Sequence, residues 1–132
     1  MSVSTGLRQS ELSAVRQETS PPGGVTRDVL PLTAEDGGVL DGVLYSPSRT
    51  CNTALVLMHP SVSFHDHYAL LPLAARGYTT LGLNSRFAGN DAALITEQVV
   101  LDLAAGITHL RQQGYERVVL VGNSGGSALA AF

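Results

Sequence analysis

The chain has 132 residues, of which 44% are hydrophobic and 14% charged, and its formal net charge is −3. That supplies enough apolar content for one hydrophobic core and too little length for two ordinary domains. The acidic balance argues against a nucleic-acid or anionic-membrane partner, and no apolar run approaches the roughly 18 residues that a bilayer span requires.

Residues 1–24 are rich in Ser, Gln, Glu and Thr and end in Pro21-Pro22-Gly23-Gly24, which predicts a mobile tail ahead of an incomplete domain over 25–132. The tail lacks the apolar stretch of a secretory signal. VTRDVLPL and GVLDGVLYSP read as two short strands joined by Glu35-Asp36-Gly37-Gly38. Pro31 makes the first an edge strand or ends it early. Cys51, the lone cysteine, excludes an internal disulfide and fits a cytoplasmic setting. It is expected to act as a small hydrophobe ahead of the next strand.

TALVLMHP is a continuous apolar run suited to a strand buried on both faces, and it ends at His59-Pro60. HDHYALLPLAARG follows as a short helix stopped by Gly77, with Pro72 either near its start or bending it. YTTLGLNSR is the next buried strand. From about Asp91 to Gln113 the spacing predicts a long helix, with Val99, Leu103, Ile107 and Leu110 on one face. Gln98, Asp102, His109 and Gln113 fall on its other faces, Asn90 and Asp91 start it, and Gly114 ends it. RVVLVG is a further core strand, and SGGSALAAF opens another helix. This alternation predicts an α/β fold of right-handed βαβ units, a mostly parallel sheet with flanking helices on both faces.

The chemistry is carried by Gly122-Asn123-Ser124-Gly125-Gly126, between an apolar strand and an Ala-rich helix. A strand running straight into a helix leaves backbone N–H groups unpaired, and these stabilise negative charge nearby. A serine in that turn, flanked by the small elbow residues Gly122 and Gly126, stands exposed above the sheet as a nucleophile elbow. The Gly125 N–H would face an oxyanion formed when Ser124 attacks an acyl carbon. The competing reading is a nucleotide-binding turn with Gly122, Gly125 and Ala128 as a loose fingerprint.

The order of these segments resembles the N-terminal half of the α/β-hydrolase fold. The resemblance runs through LVLMHP, Tyr68, LAARGY over Leu73–Tyr78, LNSRFAGND over Leu83–Asp91, and the elbow itself. It implies a serine hydrolase acting on a carboxylic ester or related acyl bond through an acyl-serine, with a small-molecule substrate and no cofactor. It also implies that His59 shapes the oxyanion loop and that Ser61, or Val62 if the loop is shifted, supplies the second oxyanion N–H. Two residues depart from the pattern: Pro60 replaces the usual glycine after His59, and Asn84 stands where many members carry Asp. Arg86 keeps the familiar arginine, read either as pinning loops above the sheet or as a surface ion pair. Serine rather than cysteine at the elbow points away from the dienelactone-hydrolase-like members.

In this superfamily the triad acid and histidine follow the nucleophile. Only Gly125–Phe132 follows Ser124, with neither residue type. His59, His65, His67 and His109 all precede the serine; His59 is the nearest to a substitute base and His109 reads as a solvated helix residue. His65-Asp66-His67 alternates like a metal-ligand pair, yet it falls in a loop or helix start without a third ligand, so no metal is expected. SALAAF gives a short helix without a C-cap, so the expectation is a fragment. Its last strand would be an uncovered apolar edge open to association. A non-catalytic α/β-hydrolase-like binding module is the alternative from a different functional class.

Overall fold

The computed structural model describes residues 24–49 and 51–122. Strands β1 (Thr26–Thr33) and β2 (Val39–Ser46) form the expected hairpin, with Thr33 opposite Val39. The turn closes as the Ala34 N–H donates to the Gly38 carbonyl at 2.8 Å. The Asp36 carboxylate accepts from the Gly38 N–H at 3.1 Å. Among the described residues β1 is an outermost strand of the sheet. That is where a proline's missing N–H is tolerated, so the strand runs on through Pro31.

Strands β3 (Thr53–His59), β4 (Thr79–Asn84) and β5 (Arg117–Gly122) complete a sheet of order β1-β2-β4-β3-β5. β3 pairs in parallel with β4 and with β5, whereas β2 pairs antiparallel with both β1 and β4. The sheet is therefore mixed, which corrects the expectation of a mostly parallel one. The cause is local: a hairpin too short for a crossover reverses the chain, and β2 then lies beside β4 in the opposite sense.

Helix α1 (Leu70–Ala75) joins β3 to β4, and helix α2 (Thr96–Gln112) joins β4 to β5. β4 and β5 flank β3 on opposite sides, so right-handed crossovers put the two helices on opposite faces. Alternation along β3 serves both layers: Leu55 and Leu57 pack with Leu70 and Ala74 of α1. Val56 and Met58 pack with Val99, Leu103 and Leu110 of α2. Five consecutive residues of β3, Ala54–Met58, are buried, as its apolar run predicts.

Pro72 lies in the first turn of α1, where the absent N–H has no helical acceptor to lose. Both helices end in the same cap, with Gly77 and Gly114 each at φ +101°. The Tyr78 N–H reaches the Leu73 carbonyl at 3.3 Å and the Tyr115 N–H the Leu110 carbonyl at 3.2 Å. The left-handed glycine closes each Schellman motif.

Three local expectations are corrected. α2 begins at Thr96 and not at Asp91: Asp91–Ala93 form a separate 3₁₀ turn, and Ile95 is extended at φ −121° and ψ 113°. Asp102 is fully buried rather than on a solvated face. Cys51 is exposed, with its thiol 3.5 Å from the Thr53 carbonyl. β5 is an edge strand among the described residues, with Val119 and Val121 half-exposed on the α1 side. No helix among the described residues is long and apolar enough to cross a membrane.

Candidate active site

Chain register brings three strand ends together. His59 at the end of β3 is level with Asn84 at the end of β4, and Met58 is level with Gly122 at the end of β5. α1 leaves β3 toward one face and α2 leaves β4 toward the other. Strand order reverses at β3, with β4 on one side and β5 on the other, so the crevice between the carboxyl ends of β3 and β5 is the topological switch point, where open α/β sheets bind ligands. Of the predicted site residues, His59, Ser61 and Gly122 lie in or beside this crevice. Ser124, Gly125 and Gly126 lie outside the described residues.

Residues 60–64 form the loop that leaves β3, and its first N–H groups converge on one atom. The Ser61 and Val62 N–H groups both donate to His59 Nδ1, at 3.1 and 3.2 Å. His59 therefore accepts through Nδ1 and carries its ring proton on Nε2. The loop is bound to the chain leaving β4 as well. The Ser85 hydroxyl donates to the Pro60 carbonyl at 2.6 Å, and the Gly89 N–H donates to the Ser61 carbonyl at 2.8 Å. Pro60, whose ring replaces a flexible glycine, adds stiffness at the loop's first residue.

Beneath the crevice, Arg86 joins three separate elements. Its Nη1 and Nη2 donate to Asp36 in the β1–β2 turn at 2.8 and 2.7 Å. Nε and Nη2 donate to Asp102 of α2 at 3.0 and 2.7 Å, and the Arg86 backbone N–H adds a bond of 2.8 Å to the same carboxylate. Arg86 thus pins loops above the sheet, and the pair with Asp102 is buried rather than superficial. The apolar spacing did not mark Asp102, which the fold buries on α2 together with Val99, Leu103 and Gly106.

Hydrogen bonds from Arg86, then from the Gly38 N–H, lower the Asp36 pKa from 3.8 to about 2. The bonds to Asp36, then to Asp102, push the Arg86 pKa further up. A carboxylate with a depressed folded pKa contributes stability above its ordinary value, and that stability is lost as pH falls through the folded one. Stability should therefore decline between about pH 4 and pH 2, and Asp36→Asn should flatten that part of the profile. Urea midpoints measured across the range test this; an Asp36→Asn profile identical in slope to that of the unsubstituted protein would refute it.

The other histidines have separate duties. His65 Nε2 lies 3.2 Å from Asp41 Oδ1 on β2, an imidazole oriented by a carboxylate. β2 is three ladders from β5, about 14 Å at roughly 4.8 Å per ladder. The His67 ring accepts from the Ala69 N–H at 3.2 Å and stacks on Tyr68. Asp66 meets Arg27 at 3.4 Å. His109 is intermediate in burial on α2 and lines an open recess with Leu32 and Glu35.

No protein-family model and no curated protein matches the chain. Solved structures do. Brefeldin A esterase, a bacterial homologue of human hormone-sensitive lipase, superposes with a TM-score of 0.66 and 19% identity, over 86% of this chain and 35% of that one. An esterase from Pyrococcus furiosus gives 0.64 and 21%, over 84% of this chain and 50% of that one. The fold is the α/β-hydrolase fold. Oligopeptidase B from Trypanosoma brucei shares it at a TM-score of 0.64 and 16% identity, over 80% of this chain and 18% of that one. The chain spans half or less of the length of these three α/β-hydrolase structures. Within that fold Gly122 closes the third parallel strand, whereas a dinucleotide fingerprint follows the first.

Proposed function

We propose that this protein is a serine hydrolase that cleaves a carboxylic ester or related acyl bond through an acyl-serine. The observation that carries the reading is the convergence of the Ser61 and Val62 N–H groups on one acceptor, in the loop that borders the β3 end. One of these donors, released from His59, would join the Gly125 N–H in receiving a developing oxyanion. Neighbouring β5 ends at Gly122 and leads into Asn123-Ser124-Gly125-Gly126.

In this reading the Ser124 hydroxyl attacks the acyl carbon and loses its proton to a base. The carbonyl oxygen takes the negative charge, facing the Gly125 N–H and one donor of loop 60–64. That donor exchanges His59 Nδ1 for the substrate oxygen. Collapse of the tetrahedral intermediate expels the alcohol with a proton, and water then releases the acid. A recess of about 240 Å³ beside Gly122, lined by Leu57, Phe64, Leu73 and Val121 together with His67 and Tyr68, suits a small ester. The single cysteine suits a cytoplasmic setting.

A binding module without turnover is the second reading, and the engagement of both loop donors by His59 favours it. Labelling with a fluorophosphonate separates the two. The hydrolase reading expects a covalent adduct on Ser124 that Ser124→Ala abolishes; folded protein that stays unlabelled would leave the binding module standing.

A further inference from the structure

Asn84 is the last residue of β4 and only 7% exposed, and both halves of its carboxamide are engaged. Its Oδ1 accepts from the Phe64 N–H at 2.8 Å, and its Nδ2 donates to the Ser63 hydroxyl at 3.1 Å. The side chain thus crosses the β3–β4 crevice and holds the two residues that close loop 60–64. Ser85, the next residue, holds the loop's beginning: its hydroxyl donates to the Pro60 carbonyl and accepts from the Phe87 N–H at 3.0 Å. Between these two anchors lie Ser61 and Val62, whose N–H groups converge on His59.

We infer that Asn84 is a positioning residue for this donor loop, its carboxamide setting where the Ser61 and Val62 N–H groups stand for acyl transfer at Ser124. The inference rests on the hydrolase reading above and deepens it. A carboxamide suits the place because it is neutral and offers an acceptor and a donor at once. An ionised aspartate offers acceptors only, so the Ser63 hydroxyl would have to reverse to meet it. A protonated aspartate restores the donor-acceptor pair. Loop geometry in an Asn84→Asp variant would therefore follow the protonation of the new carboxyl. The titratable and charged groups around it are Asp41 on β2, His59 on β3, His65 in the loop, and Arg86.

The experiment is the rate of fluorophosphonate labelling at Ser124 against pH, for the unsubstituted protein, Asn84→Leu and Asn84→Asp. Melting temperatures are measured alongside. Asn84→Leu should label about 100-fold more slowly, the scale expected when a reacting geometry shifts by about 1 Å. Asn84→Asp should approach the normal rate at low pH and fall away as its carboxyl ionises, a limb that the unsubstituted protein does not show. If Asn84→Leu does not fold, the near-isosteric Asn84→Asp carries the test through that limb. An Asn84→Asp profile parallel to that of the unsubstituted protein overturns the inference and leaves the hydrolase reading intact. Absence of labelling in the unsubstituted protein overturns the hydrolase reading, and this inference with it.

Discussion

Arg86→Met is expected to lower the unfolding free energy by about 3–5 kcal/mol, the usual cost of leaving one member of a buried ion pair without its partner. Asp102 is fully buried on α2, and its carboxylate receives two side-chain donors and the backbone N–H of Arg86. Methionine keeps the aliphatic length but removes every guanidinium donor. The buried carboxylate then retains only the backbone bond. Asp36 would lose its bidentate partner too, but it faces water and its share is small. Since small domains are stable by about 5–15 kcal/mol, such a loss should bring this one close to unfolding at ambient temperature. Urea unfolding measures it. A midpoint close to that of the unsubstituted protein would mean that the Arg86–Asp102 contact contributes little. Asp102→Asn, which keeps hydrogen bonding while removing the buried charge, should be milder.

Gly82→Ala should act on the donor loop from beneath. A Cβ on Gly82 would collide with the Phe64 carbonyl oxygen and fall 2.7 Å from Leu70 Cδ1. The leucine tip can rotate away, but the carbonyl belongs to backbone that Asn84 holds through the Phe64 N–H. Overpacking of this kind costs about 1–3 kcal/mol. Because the displaced segment is the end of loop 60–64, the labelling rate at Ser124 should fall along with the melting temperature. A Gly82→Ala protein with unchanged stability and unchanged labelling would show that the loop does not rest on β4 as described.

Periodicity alone was enough to locate β3, β4 and the body of α2. A strand buried on both faces has to be apolar throughout, and a helix on one face of a sheet has to repeat every three to four residues. Glycines beyond the helices were equally legible, because few other residues adopt the left-handed cap. The start of α2 was not. Asn90 and Asp91 have the chemistry of a cap, yet the extended backbone at Ile95 moves the true start to Thr96. Sheet direction escaped too, because a strand's own residues do not say which neighbour it will pair with.

At the site, Gly122-Asn123-Ser124-Gly125-Gly126 suggests chemistry through its place after an apolar strand, and its residues beyond Gly122 lie outside the described residues. His59 and Ser61 entered through resemblance, and tertiary structure gave them contacts. The Ser61 and Val62 N–H groups meet His59 Nδ1 because the chain leaving β3 doubles back over its own last residue. Asn84 and Ser85 looked like the end of a buried strand, and only the pairing of β3 with β4 brings them under loop 60–64. Asp102 looked like a polar helix residue until Arg86, sixteen positions away, filled the space beside it. Sequence thus determined most of the elements, because these depend on local backbone sterics and on burial averaged along the chain. Tertiary structure decided the mixed sheet, the buried Arg86–Asp102 pair and the anchoring of loop 60–64. These depend on which distant atoms come within hydrogen-bonding reach, and that is settled only when the strands choose their neighbours.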